Sequence, residues 1–228
     1  MLLCPPAVQE YNRTHWAFRK LASLLAREGF HVLRFDYFGS GDSAGEPEQA
    51  GVERWCADIR EAVCELQDLA ETRRVSMVGF RLGAALAALA TRDVPAVRDL
   101  VLWEPAVSGR LHVRELREIQ RSKLRLTTNP ARTGPGELLG YAFPDALCAD
   151  IERIGIDELA GCQAERVMLF ATERRAEHLA LCERLRDRGG VTVRHDTVRE
   201  DASDRLDGVL LSTRVQQAIA AALAEAGR

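Results

Sequence analysis

The sequence predicts one α/β domain over residues 1–228, built on a mainly parallel sheet with helices on both faces. Short apolar runs of strand length alternate with longer stretches in which apolar residues recur every three to four positions. Such alternation implies βαβ crossovers, and therefore parallel pairing. A chain of 228 residues, 46% apolar and 29% charged, can bury a sizeable core and fits neither a disordered nor a fibrous protein.

Leu2–Cys4 is the first expected strand, stopped by Pro5-Pro6. A helix is expected from about Thr14 to Arg27, with Phe18, Leu21 and Leu25 on one face and Gly29 as its stop. His31–Asp36 reads as a strand, followed by the glycine-rich turn 39–43. The helix Val52–Leu69 repeats Trp55, Ile59, Val63 and Leu66 at helical spacing. Val75–Gly79 reads as a buried strand and Gly83–Ala90 as a small-residue helix pressed closely on its neighbours. Leu100–Trp103, Val167–Phe170 and Val191–Val193 are further strands, and helices are expected near His178–Arg188 and Arg214–Ala224.

Between Pro105 and Ala164 about 60 residues separate two successive strands, far more than a crossover helix needs. An inserted helical cap over 107–160 fits. Its first part, Gly109–Arg132, carries seven arginines and lysines against Glu115 and Glu118. This basic face is either solvated or a dock for an acidic acyl carrier protein or a coenzyme A phosphate.

The net charge of −3 argues against a general nucleic-acid binder. No apolar run approaches the ~18 residues of a membrane span, and the N-terminal residues lack a signal-peptide pattern. The six cysteines are scattered without a C-x-x-C pair, so a cytoplasmic protein with reduced thiols is expected. Cys56 and Cys64, eight apart, are expected to fill a core. No metal or redox cofactor is implied by the spacing of glycines, histidines and acids.

Gly79-Phe-Arg81-Leu-Gly83, between a strand and a small-residue helix, has the layout of a nucleophile elbow. The central residue of such a turn is strained and crowded, so the positions two before and two after must be small. At the new helix start, the backbone N–H of Leu82 points at the cleft and can stabilise negative charge. The middle position, where a nucleophile is expected, holds Arg81.

Together with Leu3-Cys-Pro-Pro6, Arg34-Phe-Asp-Tyr-Phe-Gly-Ser-Gly-Asp-Ser43 and Leu102-Trp-Glu-Pro-Ala106, this turn resembles the α/β-hydrolase superfamily in its serine-aminopeptidase-like branch. Within it, the chain is similar to a bacterial subgroup of hydrolases, some of which accompany exosortase and polysaccharide gene clusters. The resemblance implies an α/β-hydrolase fold, with Arg81 in the nucleophile's place. Leu82 and Ala7 would supply the oxyanion N–H groups, Pro5-Pro6 standing where His-Gly is usual. The family's acid would fall near Thr172-Glu173, with Glu104 as an alternative seat. Its histidine normally follows the last strand. Here only His195 is offered, still on the strand, and 198–208 contains none. Family members usually begin with a strand pair before the one assigned to Leu2–Cys4, so an open sheet edge is expected at the N-terminus. It reflects either a trimmed start or edge-to-edge dimerisation.

Arginine is neither nucleophile nor base near neutral pH, but it can grip a carboxylate or phosphate, or polarise a carbonyl. An ion pair between Arg81 and Glu104 is expected, because an unpaired buried guanidinium is costly. Cys4 reads as a buried structural thiol, His15 being the only base near it in sequence. His112 and His178 read as surface residues of helices. Asp36 and Asp42 are expected to fix their turn by Asx-type bonds. The resulting expectation is a hydrolase-like enzyme acting on an acyl (ester, thioester or amide) substrate by a non-serine route. Arg81 would bind substrate charge, and Glu104 or His195 would move protons. The alternative is a catalytically inactive pseudo-hydrolase that binds an acyl ligand or a partner protein.

Overall fold

The computed structural model describes residues 1–94, 97–126, 134, 136–189, 191–198, 205–206, 209–210 and 213–227. Strands β1 (Leu2–Cys4), β2 (Leu33–Arg34), β3 (Val75–Phe80), β4 (Val97–Trp103), β7 (Arg166–Ala171) and β8 (Thr192–Thr197) form one parallel sheet in the order β2-β1-β3-β4-β7-β8. Two antiparallel hairpins, β5 (Glu137–Leu138) with β6 (Tyr141–Ala142) and β9 (Arg205–Leu206) with β10 (Val209–Leu210), lie outside it. Alternate strand residues face opposite sides, and the sheet therefore separates two apolar layers. Leu3, Val78, Phe80, Val101 and Phe170 meet helices α1 (Gln9–Arg27) and α8 (Thr213–Gly227) on one side. Leu2, Met77, Leu100, Leu102 and Leu169 meet α2 (Val52–Leu69), α3 (Leu82–Ala90) and α7 (Ala176–Arg188) on the other.

Helix α2 has the bounds its periodicity predicts. Helix α1 begins at Gln9, earlier than expected, because the Thr14 hydroxyl does not cap it. That hydroxyl bonds back to the carbonyls of Glu10 (2.9 Å) and Tyr11 (3.1 Å) inside the helix. The strand expected over His31–Asp36 is reduced to Leu33–Arg34, since β2 lies at the sheet edge with β1 as its one neighbour. The first strand is not the open edge: β1 is paired on both sides, by β2 and β3. Cys56 is buried as expected, whereas Cys64 faces solvent. His112 and His178 are also corrected, at 3% and 1% exposed.

The stretch 107–160 holds α4 (Gly109–Leu126), the β5–β6 hairpin, α5 (Asp145–Glu152) and α6 (Ile156–Ala160). Val113 and Leu116 of α4 and Leu147 and Ile151 of α5 enter the α2–α3 layer. Asn12 of α1 donates to the Tyr141 hydroxyl at 2.6 Å, tying the hairpin to α1. No helix among the described residues is long and apolar enough to cross a membrane.

Candidate functional site

Three residues follow the C-terminal ends of neighbouring strands in left-handed backbone conformations: Val8 (φ 60°), Arg81 (φ 53°) and Glu104 (φ 46°). Such strain in non-glycine residues concentrates at functional sites. At Arg81 the cause is visible. A Cβ on Gly79 would lie 2.5 Å from the Ala84 Cα, and one on Gly83 would collide with the Pro5 carbonyl oxygen and come within 2.6 Å of that of Cys4. The turn closes only because both positions lack side chains. The Arg81 N–H donates to Trp103 O at 3.0 Å, and its carbonyl accepts from Ala106 at 3.1 Å. The backbone is thereby pinned, and the side chain leaves the turn toward α1 and α4.

There the guanidinium meets two carboxylates. Its Nε donates to Glu10 Oε1 at 3.1 Å and its Nη2 to Glu115 Oε2 at 2.7 Å. Glu115 is shared with Arg175, whose Nη1 lies 3.3 Å from the second carboxylate oxygen. Burial alone would lower the Arg81 pKa, but the charge of Glu10 and the bond to Glu115 outweigh it and hold it above its ordinary value. Burial likewise opposes ionisation of Glu115, yet Arg81 and Arg175 keep that carboxyl below the usual range. Glu177 is displaced upward by burial, with Arg175 opposing.

His112, on α4, shares this electrostatic neighbourhood with Glu10, Arg81 and Glu115. Burial lowers its pKa and Arg81 adds to that effect, with Glu10 and Glu115 opposing. The buried atoms His112 Nδ1, Glu10 Oε2 and Glu177 Oε2 have no hydrogen-bond partner among the described residues. Unmet buried polar atoms of this kind are costly unless something fills the space between them.

The expected ion pair between Arg81 and Glu104 does not form. Arg81 is taken by Glu10 and Glu115, while Glu104, 5% exposed, turns across to β7. Its Oε1 accepts from the Thr172 hydroxyl at 2.6 Å and from the Thr172 N–H. The structure does not bring His195 to this cluster either. It stands on β8 opposite Leu169, in the row that runs through Leu102 to Gly79. Three strand spacings put it roughly 14 Å from β3. Ala7 and Leu82 are buried, at the loop after β1 and the first residue of α3. Glu173 is exposed. Cys4 is fully buried, and burial with the nearby Cys56 pushes its thiol well up, as expected of a structural cysteine. Asp36 does hold its turn, accepting from the Asp42 N–H at 3.0 Å and from the Tyr11 hydroxyl.

Sequence reasoning missed Glu10, His112, Glu115 and Arg175. A signal existed for one of them: a guanidinium at a buried turn demands carboxylates, and Glu10 lies three residues past Ala7. A cavity of about 590 Å³ opens between α1, the glycine-rich turn and the β5–β6 hairpin, lined by Val8, Tyr11, Asn12, Ser40, Trp55 and Tyr141 among others. Among the described residues no group of three or more His, Cys, Asp or Glu could hold a metal ion.

A six-stranded parallel sheet with a glycine-flanked strand-to-helix turn defines an α/β-hydrolase. The chain belongs to the serine aminopeptidase S33 family, whose sequence profile matches residues 8–153. Similar solved structures include a Pyrococcus furiosus esterase (14% identity, 100% of this chain and 81% of that one, TM-score 0.65). A Butyrivibrio proteoclasticus esterase, solved with ferulic acid, is 18% identical over 98% of this chain and 86% of its own, with a TM-score of 0.60. A carboxylesterase from Nitrososphaera gargenis is 12% identical over 99% and 90%, with a TM-score of 0.61. No curated protein matches the chain.

Proposed function

We propose that this protein is a non-hydrolytic member of the hydrolase fold, a pseudo-hydrolase that binds an acyl ligand rather than cleaving it. One observation carries the reading: at the position of the elbow nucleophile, Arg81 is neutralised by Glu10 and Glu115 inside the protein. A guanidinium so held is neither nucleophile nor base, and both carboxylates would have to be displaced before it could grip a substrate anion. The sequence places no histidine after β8 to serve as the family's base. The cavity lined by Val8, Tyr11 and Trp55 offers space for an acyl group.

A second reading, turnover of an acyl substrate by a non-serine route, is favoured by His112. It is buried near Arg81, burial lowers its pKa, and its unpartnered Nδ1 could take a proton from water. Two measurements separate the readings. A fluorophosphonate probe and a panel of nitrophenyl esters and acyl thioesters should give no stoichiometric serine labelling and no turnover. Acyl ligands should raise the melting temperature. Turnover abolished by His112→Gln would establish the second reading; serine labelling would overturn both.

A further inference from the structure

Helix α4 carries a feature that the Arg81 cluster does not use. Arg110, Arg114, Arg117, Arg121 and Arg125 are all exposed and follow one another at intervals of three or four residues. On a helix of 3.6 residues per turn they fall within roughly an 80° arc, in a straight row roughly 22 Å long. His112 and Leu116 hold the opposite face in the interior, so the row points to solvent. Two acids touch it, each at long range: Glu118 is 3.8 Å from Arg114 and Glu152 is 4.0 Å from Arg117. Exposed pairs of that length hold little. Arg110, Arg121 and Arg125 have no ion pair among the described residues.

From this row we infer that α4 is a docking surface for an acidic helix of another protein. The repeat matches a partner helix bearing carboxylates at the same three-and-four spacing, which would set charge against charge over four turns. Leu111, 38% exposed, borders the row beside Arg114 and offers apolar contact that a nucleic-acid backbone cannot return. The inference is independent of whether the Arg81 site turns over, because it concerns binding alone.

The test is fluorescence-anisotropy titration of the full chain with a stapled helical peptide. The peptide carries glutamates at positions i, i+4, i+7 and i+11 and leucines along one flank. A second peptide has the same composition, with the glutamates distributed around the helix. The patterned peptide should bind at least about fivefold tighter than the distributed one and lose about tenfold on going from about 50 to about 300 mM salt. Arg114→Glu with Arg121→Glu and Arg125→Glu should weaken it by more than about tenfold without moving the thermal melt, all three being exposed. Should the triple reversal unfold, Arg121→Gln with Arg125→Gln gives the same reading with a smaller loss. Absence of binding, equal affinity for the two peptides, or an unchanged affinity in the variants overturns the inference. Binding of duplex DNA or phosphatidylserine vesicles as tight as that of the patterned peptide overturns it as well.

Discussion

Arg81 and Glu115 join the strand-to-helix turn to helix α4 through a 2.7 Å bond, and Glu115 extends the connection to Arg175 at 3.3 Å. With Glu10 on α1, two helices meet at the Arg81 side chain, and the residue before α7 joins them through Glu115. The arginine of the turn is thus a structural fastener.

Removing it should expose that role. Arg81→Ala leaves two carboxylates facing each other with their shared cation gone, and should destabilise the fold by about 3–5 kcal/mol in urea melts. Arg81→Met combined with Glu10→Gln and Glu115→Gln should recover most of the loss, because no uncompensated charge remains. A triple variant no better than Arg81→Ala would show that shape, not charge, is what the arginine supplies.

Stability should fall on mild acidification. His112, His178 and His195 all titrate below their ordinary value of 6.5, chiefly because burial disfavours the charged ring. Below that pH the unfolded chain binds more protons than the folded one, so stability drops as pH falls. Glu115, held below its ordinary 4.5, adds a second loss as pH falls through and beneath that value, while the raised Glu177 works the opposite way above it. Urea midpoints measured from pH 8 to 5 should decline, and His112→Gln should flatten the slope.

The glycines of the turn should be intolerant. Gly83→Ala drives a methyl group into the Pro5 carbonyl, backbone against backbone, and should cost more than about 3 kcal/mol or abolish soluble expression. Gly51→Ala, whose nearest neighbour is the Asp150 carboxylate at 3.6 Å, should by contrast melt within about 1 kcal/mol of the parent.

Glu104 should prove to be held by Thr172 and not by Arg81. Thr172→Val removes the 2.6 Å hydroxyl donor from a buried carboxylate and should cost about 1–3 kcal/mol. In a double-mutant cycle, Glu104→Gln should show strong interaction energy with Thr172→Val and little with Arg81→Met.

The layers and the turn follow from local pattern in the chain. Helix α2 has its predicted ends because Trp55, Ile59, Val63 and Leu66 form a continuous apolar stripe, and a stripe is a local property of the chain. Gly79 and Gly83 announced a crowded turn, and the structure supplies the crowding atoms. The partners of Arg81, in contrast, depend on long-range packing. Glu104 was the reasonable choice by strand adjacency, but the pinned backbone of the turn sends the guanidinium toward α1 and α4, to Glu10 and Glu115, 71 and 34 residues away in sequence. The same holds for His112 and His178, which read as polar positions on helix surfaces and prove buried. Periodicity reports which face of a helix is apolar. It does not report which other element lies over the remaining face, and that covering turns an exposed charge into a buried partner.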